Sequence, residues 1–336
     1  MLIHETAREW TDEPLEKCFT HANTDSISRP IIEVANGPWC NGSTAGFDPA
    51  CPGSNPGGPV SSASSMVLKW QSMNLNTPTT SYSRSVIVLA AGKGTRMKSD
   101  LPKVMHHAAG RPMVEAVVDA ARAVGCKPVV LVIGHGAELV RAHFAERANT
   151  EFVMQMPQLG TGHAVDMARP LFEQGLLGEE TLVLCGDGPL IRPHTLQVLL
   201  DTHRQSGASA TLATAVSADP QGYGRIQRDS KGNFARIVEQ KDASPEQLAI
   251  CEINPSYYCF RTVDLFDALT RVTNQNASGE YYITDVFELL LRDGKRVSVV
   301  DAVPAEDVLS VNTLEQLAEV SRILESRSAT TNGARA

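Results

Sequence analysis

From Arg84 onward the chain alternates short β-branched apolar runs with amphipathic stretches, the pattern of a doubly wound α/β sheet. Val86-Ile-Val-Leu89 reads as a buried parallel strand, Val129-Val-Leu-Val-Ile133 as a second and Glu151-Phe-Val-Met154 as a shorter third. Thr181-Leu-Val-Leu184 is the next, running into Cys185-Gly-Asp-Gly-Pro189. Helical spacing fills the gaps at about 112–124, 136–147, 161–174 and 192–205. The chain then changes character. Ala208–Thr214 reads as a strand, and 224–228 with 234–238 reads as a hairpin turning at Ser230-Lys-Gly232. A last strand at Val297–Val300 and a helix near 313–326 follow, and Ser326–Ala336 reads as a frayed, disordered tail. The prediction is a Rossmann-like, doubly wound, mostly parallel sheet over 84–326. It carries an inserted β-rich subregion at the carboxyl edge, where pockets for a second substrate commonly form.

Residues 1–83 break this pattern. They carry no sustained period of 2 or 3.6 and are dense in Pro, Gly, Ser, Asn and Thr. Gly53-Ser-Asn-Pro56 is what GGTTCGAATCC, the T-arm sequence of many transfer RNA genes, encodes in one frame. The segment therefore reads either as a spurious upstream extension, with initiation at Met66 or Met73, or as a disordered tail. No function is assigned to it.

Composition narrows the function classes. With 30 Lys and Arg against 38 Asp and Glu, the net charge is −8, so a broad basic surface for nucleic acid is not expected. No apolar run is long enough to span a bilayer, and the first residues lack the layout of a secretory signal. Seven cysteines, an odd number without a Cys-x-x-Cys pair, argue against a disulfide framework and against structural zinc. The expectation is a cytoplasmic protein acting on small molecules, with no nucleic-acid or membrane partner.

The chemistry concentrates where strands end. Leu89-Ala-Ala-Gly-Lys-Gly-Thr-Arg-Met97, followed by Leu101-Pro-Lys103, is a small-residue turn that lets backbone N–H groups approach phosphate oxygens. Arg96 and Lys103 add positive charge, which suits a nucleoside triphosphate losing pyrophosphate. The Walker spacing is not met, and Met97 stands where a dinucleotide fingerprint needs its third glycine. Asp187 follows an apolar strand, where a carboxylate can bridge a hard cation to phosphate; it equally suits a turn or N-cap. Gln155 and Leu159-Gly-Thr-Gly-His163 form a second small-residue turn able to read a base edge, against the plainer reading of a cap at Thr161. Glu239 and Asn254, a carboxylate and a carboxamide in the inserted region, suit sugar hydroxyls and an acetamido group. Thr284, Asp285 and Asn312 read as helix caps.

Together LAAGKGTRM, SDLPKVMH, QLGTGHA, GDGPL, GYGRI, IVEQKDA, EIN, GEYYITD and SVN resemble the uridylyltransferase domain of the bifunctional N-acetylglucosamine-1-phosphate uridylyltransferase / glucosamine-1-phosphate acetyltransferase family. The resemblance runs from about 84 to 326. It implies the nucleotide-diphospho-sugar transferase fold and Mg²⁺-dependent conversion of UTP and N-acetylglucosamine 1-phosphate into UDP-N-acetylglucosamine and pyrophosphate, a step toward cell-envelope precursors. It implies that Leu89, Ala90, Ala91, Gly92, Lys103, Gln155, Gly160 and Thr161 line the nucleotide, with Cys185 and Gly186 beside them. Asp187 and Asn312 would hold Mg²⁺, Gly224, Glu239 and Asn254 would contact the sugar, and Arg96 and Lys103 would stabilise the leaving pyrophosphate.

Three departures stand out. Cys185 replaces a tyrosine of some members, Pro255-Ser256 replaces the usual Thr-Gly, and no hexapeptide repeat of the β-helical acetyltransferase domain appears, so acetyl transfer is not expected. Without that domain, a monomer or dimer is expected. The rival readings are a nucleotidyltransferase for another sugar or base and a catalytically weak UDP-sugar-binding protein.

Overall fold

The structure, a computed structural model, describes residues 83–333; the reading of 1–82 as an extension lies outside the described residues. Strand β1 (Arg84–Leu89) is flanked in parallel by β4 (Val129–Ile133) and β6 (Glu180–Cys185), and β5 (Thr150–Met154) extends the sheet beyond β4. Between them come the small ribbon β2 (His107–Ala108) and β3 (Arg111–Pro112), and helices α1 (Met113–Ala123) and α2 (Ala137–Phe144). The predicted helix at 161–174 is two short helices, α3 (Thr161–Asp166) and α4 (Arg169–Glu173). Pro170, with no N–H to donate, suits the first turn of a new helix rather than the interior of one long one.

After β6, helix α5 (Pro193–Ser206) leads into β7 (Ala210–Val216) and the hairpin β8 (Gly224–Arg228) and β9 (Phe234–Val238). The chain continues through α6 (Pro245–Leu248), β10 (Glu252–Asn254), β11 (Tyr257–Arg261), α7 (Thr262–Leu269), α8 (Asp285–Arg292), β12 (Val297–Asp301) and α9 (Leu314–Gly333). β11 pairs antiparallel with both β6 and β7, and so joins the parallel half of the sheet to the inserted half. β12 runs parallel to β7, and the order away from β7 is β10, β8, β9.

Period-2 alternation in β1 assigns its residues to two cores. Val86 and Val88 pack with Val129, Leu131, Leu182 and Leu184 on one face. Ile87 packs with Val130, Val132 and Val183 on the other. Burial on both faces is why these strands read as unbroken apolar runs. The fold is the expected α/β class, with the inserted β-rich region in place. One boundary is corrected: the last helix continues to Gly333, and its Arg327 donates to the Leu190 carbonyl at 3.1 Å and pairs with Asp307. The segment after Ser326 is therefore not a frayed tail through residue 333. The Arg327 contacts anchor the first turn of this extension. Among the described residues, no helix is long and apolar enough to cross a membrane.

His203, on α5, is 4% exposed and shares a 2.9 Å hydrogen bond with the Thr211 hydroxyl. Burial pushes its imidazole from 6.5 down to about 4. The unfolded chain therefore binds this proton first, and the associated stability is present above pH 6.5 and lost as pH falls toward 4. At 1.36 kcal/mol per unit the full effect is on the order of 3 kcal/mol. His203→Gln should flatten the acid-side fall in unfolding free energy between pH 6.5 and 4. Denaturant melts across that range check this, and parallel pH profiles for the two proteins would contradict it.

Candidate active site

Two strand ends and one connecting strap meet at the carboxyl edge of the sheet. β1 delivers the glycine loop, whose Gly94 packs so closely on the second basic residue that a Cβ there would lie 2.6 Å from Lys103 Cβ. β6 delivers Asp187, and the strap between β12 and α9 delivers Asn312. The Lys103 ammonium joins them, with Nζ 2.5 Å from Asp187 Oδ2 and 2.7 Å from Asn312 Oδ1. Arg96 donates to the same Asn312 oxygen at 2.9 Å. Asp187 and Asn312 are thus not spent as caps. Capping of α9 falls to Thr313, whose hydroxyl accepts the Gln316 N–H at 3.3 Å. Asp187 and Asn312 instead place two hard oxygens about one cationic point, a donor set suited to a small cation that keeps waters and takes phosphate oxygens. Among the described residues there is no cluster of three or more acidic, His or Cys side chains able to hold a metal.

Two cavities open on either side of this cluster and share Cys185 and Asp187 in their walls. The first, about 330 Å³, is lined by Leu89, Ala91, Gly92, Lys103, Gln155, Gly160 and Thr161, with Gln158 and Glu280 also present. Gln155 is buried, and its amide nitrogen donates to the Gly160 carbonyl at 2.9 Å. A carbonyl can only accept, so this contact fixes the amide orientation and leaves the Gln155 carbonyl oxygen as its remaining acceptor. Thr161 does not cap α3. Its hydroxyl accepts the Ile283 N–H at 3.1 Å, while Gly162 N–H donates to Tyr281 O at 2.7 Å and Tyr281 N–H to Leu159 O at 2.8 Å. The turn at 159–162 and the GEYYITD segment are therefore stitched together.

The second cavity, about 550 Å³, is lined by Arg96, Tyr223, Gly224, Glu239, Asn254, Ser256 and Asn312 among others. Glu239 accepts the Thr284 hydroxyl at 2.9 Å, so Thr284 heads α8 without capping it. Burial, followed by the neighbouring acids Asp285, Asp242 and Glu280, raises the Glu239 carboxyl above the usual carboxylate range, and the Thr284 hydrogen bond opposes that rise. Asn254 is buried and partly engaged: its amide donates to the Tyr258 hydroxyl at 2.6 Å and its oxygen accepts Ser256 N–H at 3.0 Å. Ser256 holds φ at +65°, a left-handed conformation that explains why glycine is usual there. Burial pushes the Cys185 thiol up to about 12, so it faces the junction as a neutral group.

Ala90 and Gly186 line neither cavity. Both are buried, and Gly186 N–H donates to Leu89 O at 2.9 Å. The other residues implied for the nucleotide and sugar line one cavity or the other. Sequence reasoning did not single out Tyr223, Gln158, Glu280 or Ser256 as contacts. Gln158 opens the QLGTGHA motif, whereas Tyr223 carried no signal beyond its place in GYGRI.

The MobA-like NTP transferase domain profile matches residues 86–285. A Geobacillus sp. protein named bifunctional protein GlmU is 47% identical over 244 residues, covering 73% of this chain and 52% of the relative. A Lactobacillus delbrueckii subsp. bulgaricus protein of the same name is 50% identical over 242 residues, covering 72% and 52%. The chain thus spans about half the length of the curated relatives it matches, and the motif-based resemblance is borne out. A crystal structure of UDP-glucose pyrophosphorylase complexed with UDP-glucose superposes with a TM-score of 0.61 at 19% identity, covering 73% of this chain and 99% of that one. At that identity it shows the fold.

Gly160 has φ +111°, and a Cβ added there would lie 2.5 Å from Tyr281 O and 2.8 Å from Tyr281 N. Gly160→Ala should lower stability by about 1–3 kcal/mol or more, the range for a residue forced into such a conformation. Thermal melts read this directly, and an unchanged melting temperature would show that the two segments are not in contact.

Proposed function

Because this chain belongs to the MobA-like NTP transferase domain family, we propose that it transfers a uridylyl group from UTP to N-acetylglucosamine 1-phosphate, releasing pyrophosphate. The observation that carries the reading is the pair of cavities meeting at Asp187, with Lys103 and Arg96 at the junction. One chamber suits a nucleotide and the other a sugar phosphate, and the phosphates fall where the positive charge is. The Gln155 carbonyl oxygen complements a base bearing a ring N–H, as uracil does. Glu239, Asn254 and the neighbouring backbone offer paired donors and acceptors to sugar hydroxyls and an acetamido group. Relatives named bifunctional protein GlmU and the MobA-like NTP transferase profile support nucleotidyl transfer.

The attacking group is a sugar-phosphate oxygen already ionised at neutral pH, so no general base is needed. The protein's work is to hold two anions in line and offset their repulsion. Lys103 and Arg96 stabilise charge on the transferring phosphoryl group and the departing pyrophosphate. Asp187 and Asn312 would hold Mg²⁺, and their oxygen donors fit it. Magnesium, when bound, supplies charge neutralisation at the phosphates. We place the enzyme in the cytoplasm as a monomer or dimer, supplying activated amino sugar for envelope polymers.

Pyrophosphate release should be fastest with UTP and N-acetylglucosamine 1-phosphate across a panel of triphosphates and sugar 1-phosphates, and should require Mg²⁺. Asp187→Ala should abolish turnover, and Lys103→Ala should lower it by on the order of 10²-fold or more, the scale of losing one preorganised charge contact. Near-normal rates for Asp187→Ala would sink the metal assignment. A faster rate with another sugar or base would reassign the substrate, and tight UDP-N-acetylglucosamine binding without turnover would make the protein a binder rather than a catalyst.

A further inference from the structure

Asn312 reaches Asp187 on a strap, residues 304–313, whose only regular structure is one short 3₁₀ turn. The charged clamp on this strap, Asp307 with Arg192 and Arg327, lies outside every motif that flagged the site. Asp307 is 1% exposed, and its carboxylate sits between two guanidinium groups. Arg192 Nε lies 2.5 Å from Oδ2, Arg192 Nη2 donates to Oδ1 at 2.9 Å, and Arg327 Nη2 donates to Oδ1 as well.

The placement of these two cations gives the contact its meaning. Arg192 lies five residues beyond Asp187 on the same loop. Arg327, on α9, also donates to the carbonyl of Leu190, three residues beyond Asp187, at 3.1 Å. Both cations therefore tie Asp307 to the loop that carries Asp187. The strap's own backbone is pinned on the side facing the cavities: the Tyr257 hydroxyl donates to Asp307 O at 3.2 Å and the Tyr223 hydroxyl to Val308 O at 3.1 Å. Val311 N–H then donates to Asp187 O at 3.0 Å, one residue before Asn312. A carboxylate buried this deeply is costly unless its partners stay in place, and the two guanidinium hydrogen bonds to Oδ1 fix direction as well as charge.

We propose that Asp307, clamped by Arg192 and Arg327, is a positioning residue that holds Asn312 opposite Asp187 and so sets the affinity of the site for a divalent cation. This rests on reading Asp187 and Asn312 as the cation's ligands. A role confined to holding the fold would cost stability throughout; a positioning role acts on the strap and on the metal requirement.

The test is Asp307→Asn, which keeps the shape and removes the charge, with Arg327→Gln as a second variant should the first not fold. Hydrogen exchange of the peptide covering 308–312 should quicken in the variant while the amides of β1 and β6 keep wild-type protection. The Mg²⁺ concentration giving half-maximal turnover should rise about tenfold or more, the scale of losing a group that orients a metal's ligand, with KM for UTP within about twofold. Unchanged exchange in the strap overturns the proposal. So does quickened exchange with a wild-type Mg²⁺ requirement in an active variant. The exchange arm needs no turnover, so a wild-type protein inactive on UTP would count against the proposed reaction, and strap exchange would still decide whether Asp307 holds the strap.

Discussion

One ammonium group organises the site. Lys103 sits between the Asp187 carboxylate and the Asn312 amide oxygen, and by doing so draws together the loop after β1, the end of β6 and the strap before α9. These segments are separated by 84 residues in one direction and 125 in the next, so no local preference brings them together. Asp187 is about four-fifths shielded from solvent and Lys103 more so. Attraction between them is correspondingly stronger than at an open surface. The same concentration of opposite charge is what a reaction between two phosphate esters requires, so the constraint that assembles the edge also makes it useful.

The sheet makes this assembly available. β1 lies between β4 and β6, and connections leave the carboxyl ends of all three on one side, opening a crevice there. β11 runs antiparallel beside β6 and carries the sheet over to β7, so β10 and the β8–β9 hairpin end beside the same crevice. Asn254 and Gly224 are register partners across β10 and β8, and Glu239 follows directly after β9. Part of the larger cavity's wall is therefore a sheet edge, with Gly224 and Asn254 set by strand register.

Much of this was legible in the chain. The strands buried on both faces announced themselves as unbroken apolar runs, and the small-residue turns after β1 and before α3 marked the wall of a cavity. β11 escaped notice because Tyr257-Tyr-Cys-Phe260 shows neither alternation nor a β-branched run, although its packing makes it a central strand. Helix α7 escaped because its spacing merges with that strand. Thr161, Thr284 and Asn312 read as caps because local sequence reports only local partners, and their actual partners lie far away in the chain. The Asp307 clamp left no trace for the same reason: its three charges are ordinary surface residues until the fold buries the middle one.

The stitching of Leu159, Thr161 and Gly162 to residues 281–283 reaches further than the turn itself. The next residue, Thr284, is the one whose hydroxyl steadies Glu239 across the neighbouring chamber. The turn that lines one cavity and the carboxylate that lines the other are therefore joined through four consecutive residues, 281–284. The walls of the two cavities are thus linked by an unbroken stretch of backbone.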